Sequence, residues 1–163
     1  MSDIFKAPYQ CTQEELGAFY QLLTVGNEVE RQSAQQGIDG SKLLAFHYQG
    51  KTLAGIAAVK QPLQNYKTSI FQKSKAKEQA KAYDLELGYA VTLEEFRGMG
   101  ICSYLVSQLV NLCQNNMYAT TRTANTTMQK ILKNNGFQKL GSPYRGMLRH
   151  ENEYFLQLFT RET

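Results

Sequence analysis

The chain is short of the residues that staple or metallate small proteins. Its 163 residues include three cysteines, Cys11, Cys102 and Cys113, an odd number with no C-x-x-C spacing. That pattern supports neither a disulfide framework nor a structural zinc site. Histidine occurs only at His47 and His150, which leaves a catalytic dyad or His-rich metal site poorly supplied, so no metal is expected. No apolar stretch of roughly eighteen residues is present to suggest a membrane-spanning helix. The opening MSDIFKAPYQ has neither a basic n-region nor an apolar h-region. With the unpaired cysteines, this makes a reducing cytoplasm the expected location. There is no internal repeat and no low-complexity tract. The net charge is only +4, compatible with a phosphate-bearing ligand but short of a nucleic-acid footprint. Neither a nucleic acid nor a membrane is an expected partner.

What is present fits one globular domain spanning residues 1–163, with 42% hydrophobic and 11% aromatic residues and enough chain to bury a core without staples. Residues 12–24 read as an amphipathic helix: Leu16, Phe19, Tyr20 and Leu23 recur at helical steps, and Thr12 with Glu15 forms a capping box. Residues 28–36 are a polar helix ending at Gly37. Strands at 43–49 and 53–59 join through a tight turn at Gln49-Gly50-Lys51, and Pro62 closes the second. Residues 65–82 are either a helix or a mobile basic segment, with Lys67, Lys73, Lys75, Lys77 and Lys81 against Glu78. A strand follows at 83–92, then a strong helix at 101–115 with Ile101, Leu105, Leu109 and Leu112 on one face. A short strand at 117–122 and a helix at 125–134, stopped by Asn135-Gly136, precede two strands near 145–149 and 153–159. The order α-α-β-β-(α)-β-α-β-α-β-β is a mixed α/β pattern.

The chemically informative stretch is LELGYAVTLEEFRGMGICSYLVSQLV. A strand runs into Arg97-Gly98-Met99-Gly100, and that loop opens directly into a helix. Two glycines permit a tight turn and close approach of a ligand. The N–H groups of the loop and of the first helical turn, together with the helix dipole, suit a phosphate or diphosphate. The letters alone carry little: Gln138 and Gly141 repeat the Arg/Gln-x-x-Gly spacing without a following helix. Only the strand–loop–helix context separates the two matches, and the bland alternative is an ordinary tight turn.

Arg97-Gly98-Met99-Gly100-Ile101-Cys102 resembles the R/Q-x-x-G-x-G/A loop of the GNAT superfamily of acyl-CoA-dependent N-acyltransferases. The preceding GYAVT resembles that family's central strand, and Asn125 followed by MQKILKNNGF resembles its later helix and strand start. The resemblance implies a single α/β GNAT-like domain, with a mixed, mostly antiparallel sheet splayed at its centre and helices on both faces. It implies acetyl-CoA as co-substrate and a small-molecule or peptide amine as acceptor, in a monomer or homodimer. Ala90, Val91 and Thr92 would pair with the pantetheine arm, residues Arg97 to Cys102 would bind the diphosphate, and Asn125 would touch the coenzyme. Substrate selection would fall to residues 26–40, 62–82 and 142–153, with Tyr66, Phe71, Tyr144 and Arg145 lining the mouth.

The pattern departs from the family in three places. Cys102 replaces the final small residue of the loop; it is either a thiol activated by the helix N-terminus or a tolerated small residue facing inward. Leu132 stands where many members carry the tyrosine that protonates the leaving thiolate, and Thr120 where some carry a strand carboxylate. A better-placed carboxylate is Glu86, eleven residues before Arg97. Regular alternation would put it on one face with Gly88, Ala90 and Thr92, with Asp84 further out. Glu86 is read either as the general base that frees the amine of its proton or as an exposed or salt-bridged strand glutamate. The lysines at 67–81 are a solvated face, or else they meet the coenzyme's 3′-phosphate or an acidic partner. His47 reads as a packed histidine. The expected activity is direct acetyl transfer from acetyl-CoA to a primary amine; the alternative is a degenerate acyl-CoA-binding domain with a sensing or scaffold role.

Overall fold

A computed structural model of the chain describes residues 2–25, 31–146 and 154–163. The strands are β1 (Ser2–Lys6), β2 (Ser41–Gln49), β3 (Thr52–Lys60), β4 (Leu85–Thr92), β5 (Met117–Arg122), β6 (Gln138–Arg145) and β7 (Phe155–Arg161). The helices are α1 (Gln13–Val25), α2 (Arg31–Asp39), α3 (Gln64–Lys73), α4 (Ile101–Leu112) and α5 (Thr126–Asn134), with short 3₁₀ turns at Pro8–Gln10, Lys77–Ala82 and Glu94–Phe96. The hydrogen-bonded strand order is β1-β2-β3-β4-β5-β7-β6 in one mixed sheet of seven. Of the described pairings only β4–β5 is parallel. The α/β class and open mixed sheet expected from the sequence are present. Contacts gather into two compact units, residues 1–61 with 87–113 and residues 62–86 with 114–163.

In the first unit, β1, β2 and β3 form an antiparallel ladder, with Asp3 opposite His47 and Phe46 opposite Ile56. Strand alternation sorts its side chains by face. Leu44, Phe46, Ile56 and Ala58 form a core with Phe19, Leu22 and Leu23 of α1 and Ala34 and Ile38 of α2. The alternate residues meet α4: a Cβ on Gly55 would lie 2.6 Å from Ile101 Cγ2, so glycine lets that helix close on the strand. The capping box forms as read, with the Glu15 N–H on Thr12 Oγ1 at 3.0 Å and the Thr12 N–H on Glu15 Oε1 at 2.8 Å. His47 is buried, as read, and its Nδ1 pairs with Asp3 while Nε2 meets the Gln49 amide.

In the second unit, β4 contributes Leu85 and Glu86, which pair with Met117 and Tyr118 of β5. β7 lies antiparallel between β5 and β6, in register from Met117 opposite Arg161 to Arg122 opposite Leu156. One face packs Ile70 and Phe71 of α3 and Ala76, Ala80 and Tyr83 against Tyr118 and Leu158. On the other face Arg161 Nε donates to the Asn135 carbonyl at the end of α5, at 2.9 Å.

Several expectations change. β1 is not legible in the short, mixed SDIFK, and the ladder with β2 supplies its stability. α2 runs through Gly37 to Asp39. Residues 65–82 are ordered as α3 and a 3₁₀ turn. Lys67 is not solvated: it is 5% exposed and its Nζ donates to the Tyr83 carbonyl at 3.1 Å. Lys73, Lys75, Lys77 and Lys81 are exposed as read. β6 begins at Gln138 rather than near 145, and residues 147–149 of the expected strand lie outside the described residues. Gly136 adopts the expected left-handed conformation, at φ +87°.

Candidate functional site

The first cluster of candidate residues belongs to the first unit. β4 is not regularly pleated, because Tyr89 sits at φ +56°, a conformation that costs a non-glycine residue about 1–2 kcal/mol. Its ring packs edge-on to Phe19, with Lys60 Nζ 4.3 Å from its centroid. Its hydroxyl takes the space a Cβ on Gly37 would need, 1.8 Å away. The single alternating face expected for Glu86, Gly88, Ala90 and Thr92 is therefore broken at residue 89. Ala90, Val91 and Thr92 follow the irregularity half-buried, and Val91 packs on the α1–α2 core.

Beyond β4 the Leu93 N–H donates to the Ala54 carbonyl at 2.8 Å, and the Arg97 side chain turns back to the Thr92 carbonyl at 3.3 Å. Gly98 and Gly100 stand at φ +82° and +78°, where L side chains are strained. A Cβ at either would meet nothing within 4 Å, so backbone conformation rather than crowding requires glycine there. Gly100 caps α4 without a side-chain hydrogen bond, and the first turn holds no acidic residue. The first helical bond runs from the Tyr104 N–H to the Gly100 carbonyl at 3.0 Å. The N–H groups of Ile101, Cys102 and Ser103 therefore have no helical carbonyl to reach. Residues 97–100 are exposed, Met99 by 58%. The result is an open concentration of main-chain donors at the positive end of α4, which fits a diphosphate. Cys102 behaves unlike an activated thiol: burial pushes it up to about 11, which favours the inward-facing alternative. Gly141 is also left-handed, but it lies within β6, where a Cβ would stand 2.0 Å from the Ser74 carbonyl. The second motif match therefore serves packing.

The second cluster belongs to the second unit. Glu86 is 3% exposed and accepts a hydrogen bond from the Tyr66 hydroxyl at 3.3 Å. Tyr118 lies beside it across the β4–β5 ladder; burial, and then the Glu86 charge, raise the Tyr118 hydroxyl's pKa. Tyr144 is pushed up to about 12 by burial first and Glu86 second, while a hydrogen bond with Thr120 acts the other way. Further along β5, the Arg122 guanidinium lies 4.3 Å from the centroid of the Tyr154 ring. Asn125 caps α5, its Oδ1 accepting from the Met128 N–H at 3.0 Å, which leaves the amide NH₂ as its outward donor. Leu132 is fully buried and offers no polar group. Phe71 is also fully buried, so it belongs to the core and not to a mouth.

Within each unit the structure thus joins Ala90–Thr92 with the Arg97–Cys102 loop, and Glu86 with Tyr66, Tyr118 and Tyr144. Arg122 and Tyr154 were not singled out from the sequence; the two-residue alternation of Tyr118, Thr120 and Arg122 along β5 is the signal that marks the arginine. A groove of about 330 Å³ lined by α1 and the β2–β3 hairpin contains none of these residues, so loop chemistry, not cavity size, marks the site. Among the described residues no group of three or more His, Cys, Asp and Glu could hold a metal ion, and no helix is long and apolar enough to cross a membrane.

A strand, a glycine turn and a helix, set in a mixed seven-stranded sheet, frame the site. The sequence matches the acetyltransferase (GNAT) family over residues 8–137, and the chain belongs to that family. Its general class is that of the acyl-CoA-dependent N-acetyltransferases. Solved structures agree in fold. A ribosomal-protein-alanine N-acetyltransferase from Brucella melitensis superposes with TM-score 0.69 at 14% identity, covering 98% of this chain and 99% of that one. An acyl-CoA N-acyltransferase from Pseudomonas aeruginosa gives 0.68 at 15% identity, covering 98% of each chain. Arabidopsis thaliana NAA60, solved in complex with acetyl-CoA, gives 0.68 at 15% identity over 99% of this chain and 100% of that one. No curated protein matches the sequence.

Proposed function

We propose that the protein is an N-acetyltransferase that moves an acetyl group from acetyl-CoA directly to a primary amine. The observation that carries this reading is the loop of left-handed Gly98 and Gly100 opening α4, whose unspent amides suit the coenzyme's diphosphate. Val91 and Thr92 follow the irregular Tyr89 and present main-chain groups to the pantetheine arm, as an added strand would. Arg97 adds positive charge at the loop, and the Asn125 amide donates to the coenzyme.

Glu86 is the proton acceptor in this scheme. An amine at neutral pH is mostly an ammonium ion and attacks only after losing a proton. Glu86 is too buried to meet a bulky acceptor, so the proton reaches it through the Tyr66 hydroxyl or a water. The amine lone pair then attacks the thioester carbonyl carbon, the carbon–sulfur bond breaks with its electron pair going to sulfur, and the second nitrogen proton passes through water to that thiolate, leaving a neutral amide and the coenzyme thiol. A main-chain N–H near Val91 or Thr92 polarises the carbonyl oxygen. Most of the acceleration comes from holding the two reactants in register.

Acetyl-CoA should raise the melting temperature of the purified protein, and thiol release should accompany acetylation in a panel of amines. Gly100→Val places a β-branched residue at φ +78° in the amide cluster; coenzyme binding should be lost, and unchanged affinity refutes the reading. A second reading, a coenzyme-binding module without turnover, is favoured by the burial of Leu132 and by Thr120 on β5. Stabilisation by acetyl-CoA with no thiol release across the panel would establish it.

A further inference from the structure

We propose that the acceptor is an amine that also carries an anionic group, its ammonium end facing the Glu86–Tyr66 pair and its carboxylate facing Arg122. This inference deepens the acetyltransferase reading and rests on it.

The argument begins with β5. Side chains two residues apart share a face of a strand, so Tyr118, Thr120 and Arg122 stand in one row. Contacts follow the same row. Glu86 stands opposite Tyr118 across the ladder, and the Arg122 guanidinium lies 4.3 Å from the Tyr154 ring centroid. At one end is a buried carboxylate with a tyrosine hydroxyl on it. At the other is a guanidinium lying over an aromatic ring. Between them lie neutral hydroxyls. Four residues of strand separate the ends by about 13 Å at the backbone. A row with a negative end, a neutral hydroxyl middle and a positive end is complementary to a molecule of the opposite order.

Access agrees with this assignment. Glu86 and Tyr118 are buried, whereas Thr120, Arg122, Tyr144 and Tyr154 are half-exposed and Tyr66 is 46% exposed. Both ends of the row are thus reachable, the Glu86 end through the Tyr66 hydroxyl and the other end at Arg122. Twelve of the 18 Lys and Arg but six of the 14 Asp and Glu lie in residues 62–86 and 114–163, a net +6, against −2 in the remainder. Such a field draws an anionic group toward this unit and works against a polycationic acceptor. A guanidinium also suits a carboxylate geometrically, because its fork of donors matches the two oxygens.

The test uses the full chain, acetyl-CoA and paired acceptors: 4-aminobutanoate and 6-aminohexanoate, each against its carboxamide. Thiol release gives kcat and KM. At least one amino carboxylate should be used with kcat/KM tenfold or more above that of its amide, chiefly through KM. Arg122→Gln should bring the carboxylate-to-amide ratio close to one, a fall of about 10- to 100-fold for a charge-assisted pair. Arg122→Lys should restore part of the preference, and it keeps the test open if the glutamine variant folds poorly. Equal use of both members of every pair, or a ratio unchanged in both variants, overturns this inference and leaves the acetyltransferase reading standing. Acetyl-CoA binding without turnover of any amine overturns that reading, and the inference with it.

Discussion

Two glycines in neighbouring helices should respond in opposite directions to the same added methyl group. Gly17 lies exposed on α1 and a Cβ there would meet nothing within 4 Å. Gly17→Ala should therefore gain the helix-propensity difference, up to about 1 kcal/mol, and raise the melting temperature by roughly 2–4 °C for a chain of this size. Gly37 on α2 would gain the same term, but its Cβ would stand 1.8 Å from Tyr89 Oη and 2.9 Å from Cζ. The ring cannot swing away cheaply, since Phe19 lies 6.3 Å from it edge-on and Lys60 sits over its face. Overpacking of this kind costs about 1–3 kcal/mol, and a disturbed Lys60–Tyr89 contact adds about 0.5–2. The net for Gly37→Ala is a loss of about 0.5–4 kcal/mol, or roughly 1–16 °C. Thermal unfolding followed by circular dichroism reads both variants. A cycle with Tyr89→Gly removes the obstructing ring and the strained conformation together, so Gly37→Ala should become stabilising in that background. Shifts of the same sign in the two single variants, or a loss at Gly37 that persists without Tyr89, refute the reasoning.

Other expectations follow from single contacts. Thr12→Ala removes the cap on α1 and should cost about 1 kcal/mol, seen as a few degrees in a melt. The Glu15 carboxyl is held below its ordinary 4.5, first by the Thr12 main-chain N–H and then by Lys6. Its stabilising contribution is thus complete above the unfolded pKa and fades as pH falls through the lower folded value, so the penalty of Glu15→Gln should shrink between pH 7 and pH 3. Leu132→Tyr introduces the tyrosine that the family resemblance led one to expect there, yet Leu132 is fully buried; melting should fall by several degrees with no gain in thiol release. With its thiol near 11, Cys102 should alkylate at pH 8 at least about 100-fold more slowly in the folded protein than in denaturant, and mass spectrometry of iodoacetamide-treated protein checks this.

The legible parts of the sequence were those whose signals are local. The α1 capping box, the β2–β3 hairpin and β5 at Met117–Arg122 depend on neighbours within a few residues, and they fall where the letters put them. The glycine loop was legible because both its turn and its helix follow at once in sequence. Long-range partners were not legible. β1 exists through its ladder with β2, Lys67 is buried because Tyr83 offers a carbonyl sixteen residues away, and Tyr66 reaches Glu86 across twenty residues. Of the two readings of Cys102, the inward-facing small residue is the one the structure favours, because burial raises its thiol. Regular alternation failed in β4 because no residue letter announces a tyrosine at φ +56°.

That tyrosine, at φ +56°, interrupts the pleat in the middle of β4. Removing one residue there would not simply shorten the strand. It would exchange the sides to which Ala90, Val91 and Thr92 turn. For this strand, count matters more than composition: conservative replacements within GYAVT are tolerable in principle, whereas an insertion or deletion of a single position inverts what the strand presents.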